Sequence, residues 1–269
     1  MKLENSLAVV TGAGSGIGRG IALALARRGC HLVLADIAQE GLSQTAREVR
    51  EAGVQAHCYR LDVADREAVR ELAQTVAREH GGARLLVNNA GVALGGTFQQ
   101  VSEEDFDWLM NINFHGVVSM TRAFLPQLQR SGEARIVNIS SLYGIVSPPG
   151  QSAYSASKFA VRGFSNALRH ELEGSNVGVT VVHPGGVATS IAQSARAPAG
   201  VPEEEIRRHR AIAQKLLRMP PEKAGEIIVR GIERRKARVL VGFDAVVVAL
   251  LERLMPVAYW KLLKKGIRT

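Results

Sequence analysis

The chain has 269 residues, 46% hydrophobic and 22% charged, and its 34 Lys and Arg against 25 Asp and Glu give a net charge of +9. That length and apolar content suit one α/β domain around one sheet, and no repeat, low-complexity tract or linker argues otherwise. The basic residues are scattered except at 207–210, 234–236 and 264–265. None of these clusters is interleaved with aromatics, so they read as solvated helix faces and not as a nucleic-acid module. A basic surface suits an anionic cofactor, an acidic substrate or a membrane surface, and singles out none of them. Cys30 and Cys58 lie in apolar segments without metal-ligand spacing. They are expected to be buried thiols in a reducing compartment, and no metal site is expected. The N-terminus runs straight into LAVVTGAG, which leaves no room for a signal peptide and leads us to expect a cytoplasmic protein.

Leu7 to Val10 form an apolar run that stops at TGAGSGIGRG, after which IALALARR has helical spacing. This is strand, glycine turn, helix. Gly12, Gly16 and Gly18 let the backbone approach a pyrophosphate, and the helix start offers free N–H groups and the positive end of a dipole. The spacing fits the general GxGxxG fingerprint only loosely. HLVLAD is a second strand, ending on Asp36. A carboxylate there can accept hydrogen bonds from both hydroxyls of an adenosine ribose and would repel a 2′-phosphate, which favours NAD over NADP. Ser15 and Ile37 offer no cation to a 2′-phosphate; Arg19 is the one candidate, and a structural place on the helix surface is expected of it.

A helix over 39–52, a strand over 55–61, a helix over 65–80 and the strand ARLLVNNAG continue the alternation. The pattern implies right-handed crossovers and a parallel sheet with helices on both faces. The segment SEEDFDWLMNINFHGVVSMTRAFLPQL opens on a capping signal, Ser102 with Asp105, and reads as one long helix. Asn113 lies in its interior, where an amide bends a helix or holds a water. GEARIVNISS is the fifth strand, SAYSASKFAVRGFSNALRHEL a helix, and VGVTVVHPGG a sixth strand with His183 packed at its end. Residues 190–218 combine small residues and prolines with a charged helix, as a flap over a pocket or a surface excursion would. A helix follows from Pro220 and Pro221, then ARVLVG as a final strand. The extension 244–269 carries a helical stripe of Val247, Leu250, Leu251, Leu254 and Val257. Its uncharged runs fall far below the roughly 20 residues of a spanning helix. It is expected to pack on the core, line an apolar pocket or meet another subunit; a peripheral membrane contact through Tyr259 and Trp260 is the remaining reading.

The chemistry concentrates in SLYGIVSPPGQSAYSASK, residues 141–158. Tyr154 and Lys158 stand four residues apart, on one face of a helix. An ammonium about 4 Å from a phenol would lower its pKa from roughly 10 by up to roughly three units. Ser141, at the end of the preceding strand, can sit beside that phenol if the glycine and proline segment turns the chain back. The three side chains then form a site that gives a proton to, or takes one from, an oxygen.

Together these motifs resemble the short-chain dehydrogenase/reductase family over about residues 5 to 242. TGxxxGxG is Thr11, Gly12, Gly16 and Gly18; NNAG is Asn88, Asn89, Ala90 and Gly91; YxxxK is Tyr154 and Lys158; PG with a following threonine is Pro184, Gly185 and Thr189. The resemblance implies a Rossmann-like, doubly wound α/β domain of about seven parallel strands and an NAD(P)-dependent oxidoreductase that interconverts a secondary alcohol and a ketone. It implies a catalytic tetrad in which Ser141 holds the substrate oxygen and Tyr154 exchanges its proton. Lys158 would lower the tyrosine pKa and bind the nicotinamide ribose, and Asn113 would hold a relay water. Cofactor contacts carried over in the same way are Gly12, Ser15, Gly16, Ile17, Gly18 and Asp36, then Asp62 and Val63 at the adenine. Asn89, Ala90, Gly91, Tyr154, Lys158, Pro184, Gly185, Val187 and Thr189 complete them. Substrate contacts would be Ser141, Tyr154, Leu142, Tyr143 and Gly186. The long tail and the apolar Leu142, Tyr143, Ile145 and Val146 point to a lipophilic substrate of steroid, retinoid or long-chain kind. An NADPH-dependent carbonyl or 3-ketoacyl reductase and a non-catalytic cofactor sensor are the alternatives. A homodimer or homotetramer built through the helices around 102–130 and 152–173 is also implied.

Overall fold

The computed structural model describes residues 1–267. Arg268 and Thr269, which end the expected extension, lie outside the described residues, as do the side chains of His209 and Lys265 from two basic clusters. Seven strands form one parallel sheet: β1 Leu7–Thr11, β2 His31–Asp36, β3 Ala56–Arg60, β4 Leu85–Asn88, β5 Ala134–Ile139, β6 Val177–Pro184 and β7 Arg238–Val241. Their order is β3-β2-β1-β4-β5-β6-β7. The runs read as continuously apolar because both faces of a parallel sheet are covered, and alternate residues sort to opposite sides. Ala8 and Val10 join Ile21, Leu25, Leu42, Ile228 and Val229 in one core. Val9, paired with Val33 and Leu86, joins Val69, Val76, Phe124 and Leu128 in the other.

The first core is covered by α1 Gly16–Ala26, α2 Gln39–Glu51 and α8 Pro221–Glu233. The α1–α8 crossing is close because Gly20 and Gly225 face each other; a Cβ on either would overlap the other helix's backbone. Arg28, in the turn that follows α1, then grips α8, donating to Glu226 at 2.6 and 3.0 Å and pairing with Glu233 at 3.0 Å. Those two cations beside it, Arg28 first and Arg230 second, hold the Glu226 carboxyl down at about 2. The second core is covered by α3 Arg66–His80, α5 Gly116–Arg130 and α6 Ser152–Glu171.

The long helix expected from Ser102 onward is instead α4 Glu103–Met110, a π turn over Asn111–His115, and then α5. Ser102 does cap α4, its Oγ accepting from the N–H of Asp105 at 3.1 Å. The π turn widens the helix where Asn113 turns inward, buried at 0% exposure. The irregular region resolves into a 3₁₀ turn at Ser190–Ala192 and α7 Glu203–Leu216. The tail forms α9 Phe243–Leu254 and α10 Tyr259–Ile267. It packs on the body: Asp244 accepts from Gly186 N–H at 2.7 Å, and the Tyr259 hydroxyl accepts from Ser147 N–H at 3.1 Å. Phe243, Leu254 and Val257 stay exposed. Among the described residues no helix is long and apolar enough to cross a membrane.

The strand order reverses between β1 and β4, so the loops leaving those two strands diverge and open a crevice at the carboxyl ends.

Candidate active site

A cleft of about 400 Å³ lies over those carboxyl ends. Gly12, Ser15, Gly16, Ile17 and Asp36 form one end of its lining, and Asp62, Val63, Asn89, Ala90 and Gly91 continue it. Ser141, Tyr154, Lys158, Pro184, Gly185, Val187 and Thr189 complete the set of expected residues that it brings together.

The glycine turn is fitted to an approaching anion by its backbone. Gly12 and Gly16 have φ of 63° and 52°, the left-handed region where a side chain is strained. Gly18 is buried beneath the turn and does not line the cleft; a Cβ there would overlap the Gly12 carbonyl and the Asn89 amide. The N-cap Ser15 makes no side-chain capping bond, and the first turn of α1 carries no acid. Its N–H groups and dipole therefore face the cleft without an anion of the protein's own. Asn89 holds this turn in shape, its amide donating to the carbonyls of Thr11 at 2.9 Å and Gly12 at 3.1 Å. The Thr11 hydroxyl in turn accepts from Asn89 and Ala90 N–H, both at 3.0 Å.

Asp36 closes β2 with its two oxygens each accepting one backbone N–H, from Gly14 at 2.9 Å and Ala38 at 3.0 Å. One acceptor direction per oxygen is left for a vicinal diol. Arg19 has the structural place expected of it: it donates to Thr45 at 3.0 Å and to the Gly14 carbonyl at 2.9 Å. A turn whose free N–H groups suit a pyrophosphate and a carboxylate whose free acceptors suit a ribose diol thus stand at one end of the cleft.

At the other end, α6 presents Tyr154 and Lys158 from one face. The Lys158 ammonium is 4% exposed, donates to the Ile139 carbonyl at 3.3 Å and lies 5.6 Å from the centroid of the Tyr154 ring. Burial acts on both groups in the direction that favours neutrality. It pushes the Tyr154 phenol up to about 12, an effect that the Ser141 hydroxyl partly offsets and Tyr143 increases. It pushes Lys158 down to about 8. This corrects the expectation of a phenol lowered by its neighbour. Burial is the largest influence on the phenol, and Lys158 is not among the groups that offset it.

Ser141, two residues beyond β5, caps a 3₁₀ turn at Leu142–Gly144, its Oγ accepting from Tyr143 N–H at 3.1 Å. His183 supports it from beneath. The ring is fully buried and its Nδ1 lies 3.0 Å from the Ser141 carbonyl; since a carbonyl only accepts, Nδ1 carries the proton. Burial drives the His183 pKa down to about 4, so the ring is neutral and packed, as expected. Asn113 lies below the cleft and not in its lining. Its Oδ1 accepts from Val92 N–H at 2.8 Å, and its Nδ2 donates to the Val92 carbonyl at 3.0 Å and to Ser157 at 3.2 Å. The side chain thus ties the segment after β4 to α6.

Three expected substrate contacts are placed otherwise. Leu142, Tyr143 and Gly186 do not line the cleft. Tyr143 instead backs the Tyr154 ring edge to face, with centroids 6.1 Å apart. Gly186 meets Asp244 and the end of α7. Ile145 and Val146 are core residues, at 1% and 3% exposure. The apolar wall is made by Val92, Trp108, Ile112, Ile191 and Leu217. Trp108 and Ile112 form an i, i+4 pair, a local signal that could have marked them as sharing one helix face; Val92, Ile191 and Leu217 had no local signal.

Known proteins align with this geometry. The profile of the short chain dehydrogenase family matches residues 6–200. The SadH protein of Mycobacterium tuberculosis, an oxidoreductase by name, is 42% identical over 266 residues, which cover 98% of this chain and 96% of that one. A 3-oxoacyl-acyl-carrier-protein reductase, FabG of Thermotoga maritima, is 35% identical over 193 residues, covering 72% of this chain and 78% of its own. Among solved structures, a short chain dehydrogenase/reductase from Burkholderia phymatum in complex with NAD superposes with a TM-score of 0.88 at 30% identity, covering 95% of each chain.

Proposed function

The chain belongs to the short-chain dehydrogenase family, and on that premise we propose that it interconverts a lipophilic secondary alcohol and its ketone, with NAD as the preferred cofactor and Tyr154 as the acid and base. It is an NAD(P)-dependent oxidoreductase; the finer reading rests on one observation above all. The cleft joins a glycine cradle and a ribose-binding acid at one end to Ser141, Tyr154 and Lys158 at the other. When bound, the nicotinamide ring supplies a place for hydride to go to or come from.

The rest is work for this chain's own residues. Gly12, Gly16 and the α1 N-terminus would hold the pyrophosphate, and Asp36 the ribose hydroxyls. Ser141 Oγ takes the substrate oxygen and fixes it against the Tyr154 hydroxyl. A phenol pushed up to about 12 is protonated at neutral pH, so Tyr154 stands ready as the acid that protonates a carbonyl oxygen in reduction. In oxidation the phenol would first give its own proton to solvent, and the resulting phenolate beside the Lys158 ammonium would take the hydroxyl proton as hydride leaves the carbinol carbon; the sum is one ketone, one reduced cofactor and one proton released. The Lys158 ammonium would stabilise the negative charge left on the phenol when it gives up its proton, and would hold the ribose of the nicotinamide. The Asn113 side chain is engaged with Val92 and Ser157, which leaves one acceptor direction on its Oδ1 for a relay water.

The apolar wall of Val92, Trp108, Ile112, Ile191 and Leu217 supports a lipophilic substrate. A ketoacyl thioester is the second reading, favoured by the likeness to FabG of Thermotoga maritima. The test is a rate panel of long-chain and polycyclic ketones, small hydrophilic diols and a ketoacyl thioester with NADH and NADPH. Fastest turnover of apolar ketones is expected. Diols outrunning them would overturn the lipophilic reading, and a thioester outrunning both would establish the second.

A further inference from the structure

The segment after β6, expected as a flap, meets the strand end after β4 and α4 through one residue, Arg196, by side chain and backbone together. Arg196 forms a parallel bridge with Leu94: its N–H donates to the Ala93 carbonyl at 3.0 Å, and its carbonyl accepts from Gly95 N–H at 3.2 Å. The guanidinium lies 3.7 Å from the centroid of the Trp108 ring and pairs with Asp105 at 2.7 Å. One residue thus joins three segments: the loop 190–202, the strand end after β4, and α4. Among the described residues the loop has one other hydrogen-bonded hold, Arg210 Nη2 donating to the Ala195 carbonyl at 3.0 Å. Ser190, Gln193, Ser194, Ala199 and Gly200 are exposed, and Pro198, seated against Gly96, is the one buried residue between 190 and 200.

The consequences run to both ends of the cleft. Trp108 lines its apolar wall, as does Ile191 on the fastened loop. Trp108 also packs, together with Tyr154, on a small separate core of Leu94, Leu109 and Ala153. The segment that Arg196 bridges is bonded on its other side to the start of α6, through Gly96 N–H to the Gly150 carbonyl at 3.0 Å. A planar guanidinium can stack on an indole and bond a carboxylate at the same time; an ammonium can do only the second.

We propose that Arg196 is a latch that fixes the Trp108 wall, and that through this wall it selects the bulk of the substrate. It is a positioning residue, remote from the reacting atoms, and the selection rests on the alcohol–ketone reading given above. A bulky substrate packs against Trp108 and Ile191 and gains from their being held in place beforehand; a small ketone held at Ser141 and Tyr154 does not reach them.

The chain has two tryptophans, Trp108 and Trp260, so Trp260→Phe leaves Trp108 as the sole reporter. In that background Arg196→Ala is expected to shift indole emission to the red and raise its quenching by acrylamide at least twofold. Tryptic cleavage at the exposed Arg207 and Arg208 is expected to speed up about tenfold. These two readouts require no turnover. In kinetics, Arg196→Ala is expected to raise KM for a polycyclic ketone about tenfold, with kcat and NADH affinity within about twofold and KM for a small ketone unchanged; Arg196→Lys should fall between. Unchanged emission and cleavage would overturn the latch. Changed emission with equal KM shifts for small and bulky ketones would overturn the selection. A wild type that turns over neither ketone would strike the functional reading, and the emission and cleavage data would still decide the latch.

Discussion

Replacing Asp36 with alanine should invert the cofactor preference, and the structure sets the size of the effect. The carboxylate already accepts Gly14 N–H at 2.9 Å and Ala38 N–H at 3.0 Å, leaving one acceptor direction on each oxygen for the 2′ and 3′ hydroxyls of the ribose. A hydrogen bond to a charged acceptor contributes about 1.5–3 kcal/mol. Water replaces part of that at a half-buried rim, so the two together come to about 2–3 kcal/mol, or NADH binding weaker by about 30- to 150-fold. A 2′-phosphate gains from the same change, because about 1–4 kcal/mol of repulsion at about 4 Å is removed. The cation left to meet it is Arg60, exposed at the end of β3 in register with Asp36 and donating to the Ile37 carbonyl at 3.4 Å. Arg19 is spent on Thr45 and Gly14. Fluorescence titration of NADH and NADPH against wild type and Asp36→Ala measures both arms. Thermal unfolding run alongside accounts for the two backbone N–H groups that lose their acceptor. A wild type that binds NADPH as tightly as NADH, or a variant with an unchanged ratio, would refute the reasoning.

Lys158→Met should abolish turnover yet stabilise the fold, since an ammonium pushed down to about 8 by burial costs stability. That cost is complete below pH 8 and shrinks as pH rises from 8 towards the unfolded value near 10.4, so the gain of about 2 kcal/mol expected by urea unfolding at pH 7 should diminish by pH 10. Glu226→Gln removes a carboxylate held at about 2 by Arg28 and Arg230. The contribution of that carboxylate is present above about pH 4.5 and lost as pH falls towards 2; the variant should lose about 1–2 kcal/mol at pH 7 and nothing at pH 2, as denaturant midpoints at the two pH values will register. Gly18→Ala drives a methyl into the Gly12 carbonyl and Asn89, and a loss of about 3 kcal/mol with NADH affinity reduced at least tenfold is expected from calorimetry and titration.

What could be read from the sequence was whatever the chain repeats locally. Apolar runs such as LAVV and HLVLA announce strands because a parallel sheet hides both faces, and the glycine turn, Asp36 and the Tyr154–Lys158 spacing each lie within one strand end or helix turn. Three features escaped because they arise between segments. The π turn at Asn111–His115 follows from Asn113 reaching Val92 and Ser157, which helical period alone does not disclose. The apolar wall gathers Val92, Trp108, Ile191 and Leu217 from distant segments, while Leu142 and Tyr143, adjacent to Ser141 in sequence, turn away from the cleft. The Tyr154 phenol was expected to fall because spacing shows the cation and cannot show the depth of burial, which is the largest influence on it.

The most direct test of the account is the oxidation of an apolar secondary alcohol with NAD by wild type and Tyr154→Phe, with NADH affinity measured on both. The variant removes one hydroxyl and leaves the ring on its core of Leu94, Leu109 and Ala153. Turnover should fall by about 10²- to 10⁴-fold while NADH affinity stays within about twofold. A variant that keeps more than about a tenth of the wild-type rate would contradict Tyr154 as the group that moves the proton.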